Sequence, residues 1–170
     1  MKNSYIKETI MTALIAALIF IATRSIQIPA VGTSGYIHAG DSIIFLVPVF
    51  LGWKRGAIAA AIGAGLADLL SPYAIYTLPT LIIKAIMVLI IGLMFRNKKI
   101  EEKTITIYIF AMILSGIWMI AGYFVTEAII TGTIAAAIPT LTYNAIQFIG
   151  SFIIALILYT SLRKTKLISG

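Results

Sequence analysis

Asn144 and Gln147 lie three residues apart, so on a helix they share one face with Thr140 and Ser151. Two adjacent amides offer paired donors and acceptors, which suits the edge of a heterocycle; the alternative is a polar bond between neighbouring helices. Tyr143 lies beside the same face, which favours a pocket. Lys84 and Glu127 each stand inside a long apolar run. Ionisable groups in such runs mark either a functional site or an internal pair, so Glu127 is the candidate partner of Lys84, holding two helices together or touching a ligand. Tyr123 precedes Glu127 by one turn. Arg24 and Asp41 flank a segment that contains Tyr36 and His38. Asp41 either caps the following helix or contacts ligand, and Asp68 is expected to pair with Arg24. The candidate substrate-binding residues are therefore Tyr36, His38, Lys84, Tyr123, Glu127, Tyr143, Asn144 and Gln147, with Trp118 a further stacking surface. An interfacial aromatic belt accounts for at least one of Tyr73 and Tyr76.

The same inventory excludes much chemistry. The chain has no cysteine, which removes disulfides, thiolate metal sites and cysteine nucleophiles together. With a single histidine, a multi-His zinc centre is impossible, although His38, Asp41 and Asp68 leave a His-plus-carboxylate site compatible with composition. No phosphate-binding loop, zinc-protease helix or nucleophile elbow occurs. Neither an enzymatic activity, a cofactor nor a metal is expected.

The elements that must position these groups are membrane helices. Of 170 residues, 61% are hydrophobic and 11% charged, with a mean hydropathy of +1.05, against roughly 45–50% and about 25% in a soluble domain. Apolar windows, each with at most one charged residue, predict six spans. They cover about Thr9–Ile28, Ser42–Trp53, Gly56–Leu70, Leu78–Phe95 and Ile105–Ile130, with a sixth from near Pro139. The second is short: Gly40–Trp53 would rise only about 21 Å as a helix, less than a core about 30 Å thick. The loop Pro29–Ala39 is therefore expected to dip inward and cover something. Six spans in 170 residues leave one all-α transmembrane domain over residues 1–170 and no room for an attached lobe.

Orientation follows from the basic residues. Lys2, Lys7, Lys54, Arg55, Arg96, Lys98, Lys99, Lys103, Arg163, Lys164 and Lys166 all fall on one side of a six-span thread, the cytoplasm, which holds both termini. The opposite loops, Pro29–Ala39, Ser71–Thr77 and Thr131–Ile138, carry no Lys or Arg. The net charge of +7 is thus topology and does not point to nucleic acid. In the same thread Arg24, His38, Asp41, Asp68, Lys84, Glu127, Asn144 and Gln147 all lie in the outward half, which implies one polar cavity open to the outside.

Small residues form two stripes. Gly56, Ala60 and Ala64, with Ala59, Gly63 and Ala67 beside them, suit close packing inside the bundle. Ala13 and Ala17 on the first helix face either a neighbouring helix or another protein.

The chain resembles the substrate-binding S components of energy-coupling factor (ECF) vitamin transporters over nearly its whole length. The resemblance rests on the size and span count, on Ala13-xxx-Ala17 and on the block Gly35–Phe45 with its Gly40-Asp41 pair. It rests also on Leu51-Gly-Trp-Lys-Arg-Gly56 followed by Gly65-Leu-Ala-Asp-Leu-Leu70. It is nearest the branch associated with hydroxymethylpyrimidine or pyridoxine-like substrates. The resemblance implies a multi-pass protein of a bacterial plasma membrane that binds a small vitamin-like substrate from outside, with the first outward loop as lid. It implies docking through Ala13 and Ala17 onto a transmembrane coupling subunit, and ATP hydrolysis by two cytoplasmic ATPase partners. Riboflavin, pantothenate or a deazaguanine also agrees with these residues. Two other readings stay open from the residues alone: a stand-alone secondary transporter with a Lys84–Glu127 ion relay, and a membrane assembly subunit that binds no ligand.

Overall fold

The computed structural model describes residues 2–95 and 105–164. Apolar runs become helices because only helices satisfy every backbone polar group within one segment in the absence of water. Helix α1 covers Lys2–Ser25, α2 Gly40–Leu69, α3 Thr77–Phe95, α4 Ile105–Thr131 and α5 Ile134–Lys164. Between α1 and α2 the chain makes two short antiparallel strands, β1 (Ile28–Pro29) and β2 (Tyr36–Ile37), with Ile28 opposite Ile37 and Pro29 opposite Tyr36. A 3₁₀ turn at Ala74–Tyr76 leads into α3.

Five helices among the described residues are long and apolar enough to cross a membrane, where six were expected. The difference lies in α2, which contains both the second and the third expected span. Gly52 interrupts it with φ 67° and ψ −178°, a backbone region almost confined to glycine. The chain folds back there. A Cβ built on Gly56 would stand 2.8 Å from Val47 Cγ1, whereas nine residues of straight helix rise about 13 Å. Tyr36, just before α2, likewise bonds Asp68 at its far end. The two limbs thus lie side by side, Gly40–Leu51 against Trp53–Leu69.

The second limb uses its small residues as expected. Ala59, Ala60, Ala64 and Ala67 are buried. A Cβ on Gly63 would come within 2.9 Å of Ile19 Cβ on α1, and one on Gly65 within 2.6 Å of Leu81 on α3. Missing side chains therefore allow backbone-to-backbone approach on both sides of the limb. The core centres on Ile44, Phe45, Met87, Ile91, Tyr108, Met112 and Met119. Leucines and isoleucines such as Leu14, Leu18, Ile117 and Ile129 point outward, the arrangement suited to lipid.

Two boundaries differ from those expected. Helix α1 stops at Ser25, because Ile28 and Pro29 join the short ladder. Helix α5 starts at Ile134, ahead of Pro139: Gly132 at φ 72° separates it from α4, and the Thr133 hydroxyl accepts from the Ala136 N–H to cap it. Lys7, Glu8, Lys54 and Arg55 gather at one end of the bundle, where Arg55 pairs with Glu8 at 2.5 Å. Arg96, Lys98, Lys99, Lys103, Lys166 and the side chain of Lys2, which share in the orientation argument, lie outside the described residues.

Candidate functional site

The segment between α1 and α2 is a small hairpin, not an open loop. Besides its ladder, Ala30 N–H donates to Gly35 O and Thr33 N–H to Ala30 O, both at 3.1 Å. Three side chains from three different helix segments fasten it down. Glu127 Oε1 on α4 accepts from Ser34 N–H at 2.8 Å. Asp68, at the end of α2, accepts from the Tyr36 hydroxyl. Gln147 Oε1 on α5 accepts from His38 N–H at 2.9 Å. Tyr73 stacks on Tyr36 with ring centroids 4.3 Å apart.

Beneath the hairpin lies a polar cavity of about 40 Å³, room for a few waters at most. Seven of the eight candidate residues face it: Tyr36, His38, Tyr123, Glu127, Tyr143, Asn144 and Gln147. The eighth, Lys84, does not line the cavity. It is fully buried, and its Nζ donates to Asp41 Oδ1 at 2.5 Å and lies 5.1 Å from the centre of the Tyr123 ring. The expected Lys84–Glu127 pair is thus replaced by Lys84–Asp41. The helix-capping alternative for Asp41 gives way too, since its other oxygen accepts from Gln147 Nε2 at 2.6 Å. The physical reason is the reversal at Gly52: it brings the start of α2 against the middle of α3, while Glu127 stays at the rim and accepts from Ser34 N–H and the Tyr76 hydroxyl.

Asp68 and Tyr76 are the site residues that sequence reasoning assigned elsewhere. Asp68 was expected to bond Arg24; instead it takes the Tyr36 hydroxyl, and Arg24 donates to its near neighbour Gln27 at Oε1, 3.2 Å away. Tyr76 belongs to the cavity wall and not to an interfacial belt. Their closeness to outward loops was visible in the sequence, but their direction was not. Trp118 lies away from the cavity, its Nε1–H donating to Ile83 O at 3.2 Å.

The wall's chemistry is that of recognition. On α5, Thr140, Asn144 and Gln147 share one face, as their spacing predicts. Asn144 Nδ2 donates to Thr140 O at 2.9 Å, while the Thr140 hydroxyl is buried with no hydrogen-bond partner among the described residues. Tyr123 bonds Thr80 at 2.9 Å through its hydroxyl, presenting its ring. His38 accepts from Gly40 N–H at Nδ1, 3.1 Å away. Burial, opposed by the Asp41 carboxylate and reinforced by the Lys84 ammonium, pushes its imidazole down to about 4, so it is neutral at pH 7. Burial, then the Asp68 charge and hydrogen bond, hold the Tyr36 phenol far above its usual range. That phenol therefore stays protonated as a donor. No group of three His, Cys, Asp or Glu is placed to hold a metal ion among the described residues.

A second concavity of about 760 Å³ lies on the outer face of α1, against the second limb of α2. Ala13 and Ala17 are exposed in it, among Phe20, Ile58 and Ile62.

Comparison with known proteins agrees with this architecture. A family model described as the S component of an ECF-type riboflavin transporter matches residues 3–164. The chain is 29% identical over 171 residues to the thiamine precursor transporter HmpT of Lactococcus lactis subsp. cremoris (strain MG1363), covering 100% of this chain and 96% of that one. It is also 29% identical over 134 residues to an uncharacterized protein of Pyrococcus woesei, covering 79% and 86%. The solved S component of a bacterial ECF transporter superposes with a TM-score of 0.74 at 19% identity, over 97% of this chain and 98% of that one, which establishes the fold.

Proposed function

The chain belongs to the S components of ECF-type transporters, and on that premise we propose that it captures a vitamin precursor of the hydroxymethylpyrimidine or pyridoxine-like kind beneath the hairpin. It is a membrane-embedded, substrate-binding subunit and not an enzyme. The observation that carries the reading is the closed hairpin: three side chains from three helix segments hold it over a buried polar cavity. The single-ring substrate is supported by the similarity to a thiamine precursor transporter.

The whole chain, residues 1–170, works as one six-span domain in a bacterial plasma membrane. Two α2 limbs that lie side by side support six crossings, and the basic cluster at the end remote from the cavity supports cytoplasmic termini. Tyr36, His38, Tyr123, Glu127, Tyr143, Asn144 and Gln147 contact the ligand, and Lys84 supports the cavity from behind. The exposed Ala13 and Ala17 in an apolar groove support docking of a transmembrane coupling subunit there, with two ATPases supplying the energy. A Lys84–Glu127 relay finds no support, because these residues have other partners.

The test is to purify the protein alone in mild detergent, denature it, and identify released small molecules by mass spectrometry. A stoichiometric pyrimidine or pyridine is expected. An empty protein that gives no thermal shift with a vitamin panel would overturn the reading in favour of an assembly subunit.

A further inference from the structure

At the end of the bundle remote from the cavity, Lys7, Lys54 and Arg55 line a concavity of about 720 Å³ together with Met11, Phe50 and Trp53. Its cations are only partly balanced. Glu8 takes up Arg55 at 2.5 Å, while neither Lys7 nor Lys54 forms an ion pair among the described residues. Both lysines are exposed. Lys7 comes from α1 and Lys54 from the start of the second limb of α2, so the fold brings them to one place. Membrane orientation requires only basic residues near the ends of spans and does not call for a shared concavity. The wall beside the lysines is apolar. Met11 and Phe50 stay 39% and 46% exposed, and the Trp53 ring centre lies 5.0 Å from Lys54 Nζ, a pairing suited to headgroup level. From Lys7 and Met11 the surface continues into a furrow of about 300 Å³ along α1. Ile6 and Ile10 line it, one turn apart on one helix face, and both are exposed.

We propose that this concavity holds one anionic glycerophospholipid, its phosphate met by the Lys7 and Lys54 ammonium groups and an acyl chain laid along Ile6, Ile10 and Met11. Two cations without counter-ions beside an apolar track match a molecule that joins a negative phosphate to a hydrocarbon chain. A free phosphate would use the lysines and leave the track bare. A zwitterionic lipid would bring its own cation toward Lys7 and Lys54. An acidic peptide would set carboxylates against isoleucines on a lipid-facing helix. The site is separate from the cavity under the hairpin and does not depend on what that cavity binds. It spans α1 and the reversal of α2, so an occupant that binds only the folded chain stabilises the junction between them.

The test places the full chain in phosphatidylcholine nanodiscs doped with phosphatidylglycerol and counts the lipids it retains by native mass spectrometry. A single phosphatidylglycerol per chain is expected to be retained in preference to phosphatidylcholine, and to raise the melting temperature. Lys7→Gln and Lys54→Gln should each weaken retention by about fivefold, and by about 25-fold together. Arg163→Gln with Lys164→Gln removes the same charge from the end of α5, outside the concavity, and should leave retention unchanged. The comparison of the two lipids needs no variant to fold. Equal retention of both lipids overturns the proposal. An equal loss in the Arg163–Lys164 variant also overturns it, since the attraction would then be that of a basic surface and not of a site. Glycerol phosphate binding as tightly as the lipid would make this a free-anion site, and displacement of the lipid by oligoglutamate would make it a surface for an acidic protein; either result overturns the lipid assignment.

Discussion

Gln147 and Asp41, 106 residues apart in the chain, meet through a 2.6 Å hydrogen bond from Nε2 to Oδ2. The same amide accepts from His38 N–H in the hairpin, and the same carboxylate accepts from Lys84. One side chain thus ties the hairpin over the cavity to the buried ion pair beneath it, so ligand capture and core stability share a bond network.

Gln147→Glu should disturb both. It removes the donor to Asp41 and sets a second carboxylate beside the first, a cost of about 3–5 kcal/mol for an uncompensated buried charge. The melting temperature should fall and ligand affinity should drop with it. A variant that melts like the parent would mean that this amide does not hold Asp41.

The Lys84–Asp41 pair is open to a double-mutant cycle. Lys84→Met alone leaves Asp41 without its ammonium and should cost about 3–5 kcal/mol. Adding Asp41→Asn should recover part of that loss, with a coupling energy of about 1–3 kcal/mol. Additive effects in chemical denaturation would rule out a direct interaction. Glu127→Gln combined with Lys84→Met should be close to additive, since these two side chains have different partners.

Gly52→Ala tests the reversal of α2. At φ 67° and ψ −178° a Cβ is strained, and the expected loss is about 1–3 kcal/mol. No atom stands within 4 Å of the added Cβ, so the loss reports backbone conformation and not a clash. An unchanged melting temperature would place the fold-back elsewhere.

The neutral His38 makes stability depend on pH. Its folded-state value of about 4 lies below the ordinary 6.5, so between these values the unfolded chain binds the extra proton. Its contribution is complete above about pH 6.5 and is lost as pH falls toward 4, about 3 kcal/mol in all. Melting curves of the parent and His38→Asn should therefore converge as pH drops through this window. A gap between them that stays constant from about pH 7.5 to about pH 4 contradicts the buried, neutral imidazole.

Ala13→Trp should abolish transport by the assembled complex and leave binding by the isolated subunit intact. Ala13 is exposed in the outer groove and remote from the cavity lining. Loss of binding in the isolated chain would instead mean that Ala13 packs inside the bundle.

Much of this protein was legible in its sequence. Composition alone places it in a membrane, because too few polar residues are available to cover a soluble surface. Apolar windows locate the helices. Helical spacing puts Thr140, Asn144 and Gln147 on one face, and the glycine–alanine stripe marks the most closely packed limb. These features are local: each depends on residues within a few turns of one another.

Who pairs with whom is not local, and only the tertiary structure decided it. From the sequence, Lys84 had Glu127 as candidate partner and Asp68 had Arg24. The fold gives Lys84 to Asp41 and Asp68 to Tyr36, because the fold-back at Gly52 carries both ends of α2 to the cavity. A buried charge takes whichever counterpart the backbone brings within about 3 Å, and spacing along a chain carries no record of that distance when the partners are tens of residues apart. The membrane, the helices and the polar face of α5 follow from the order of the amino acids; the closed hairpin and the Asp41–Lys84–Gln147 network follow from how the helices meet.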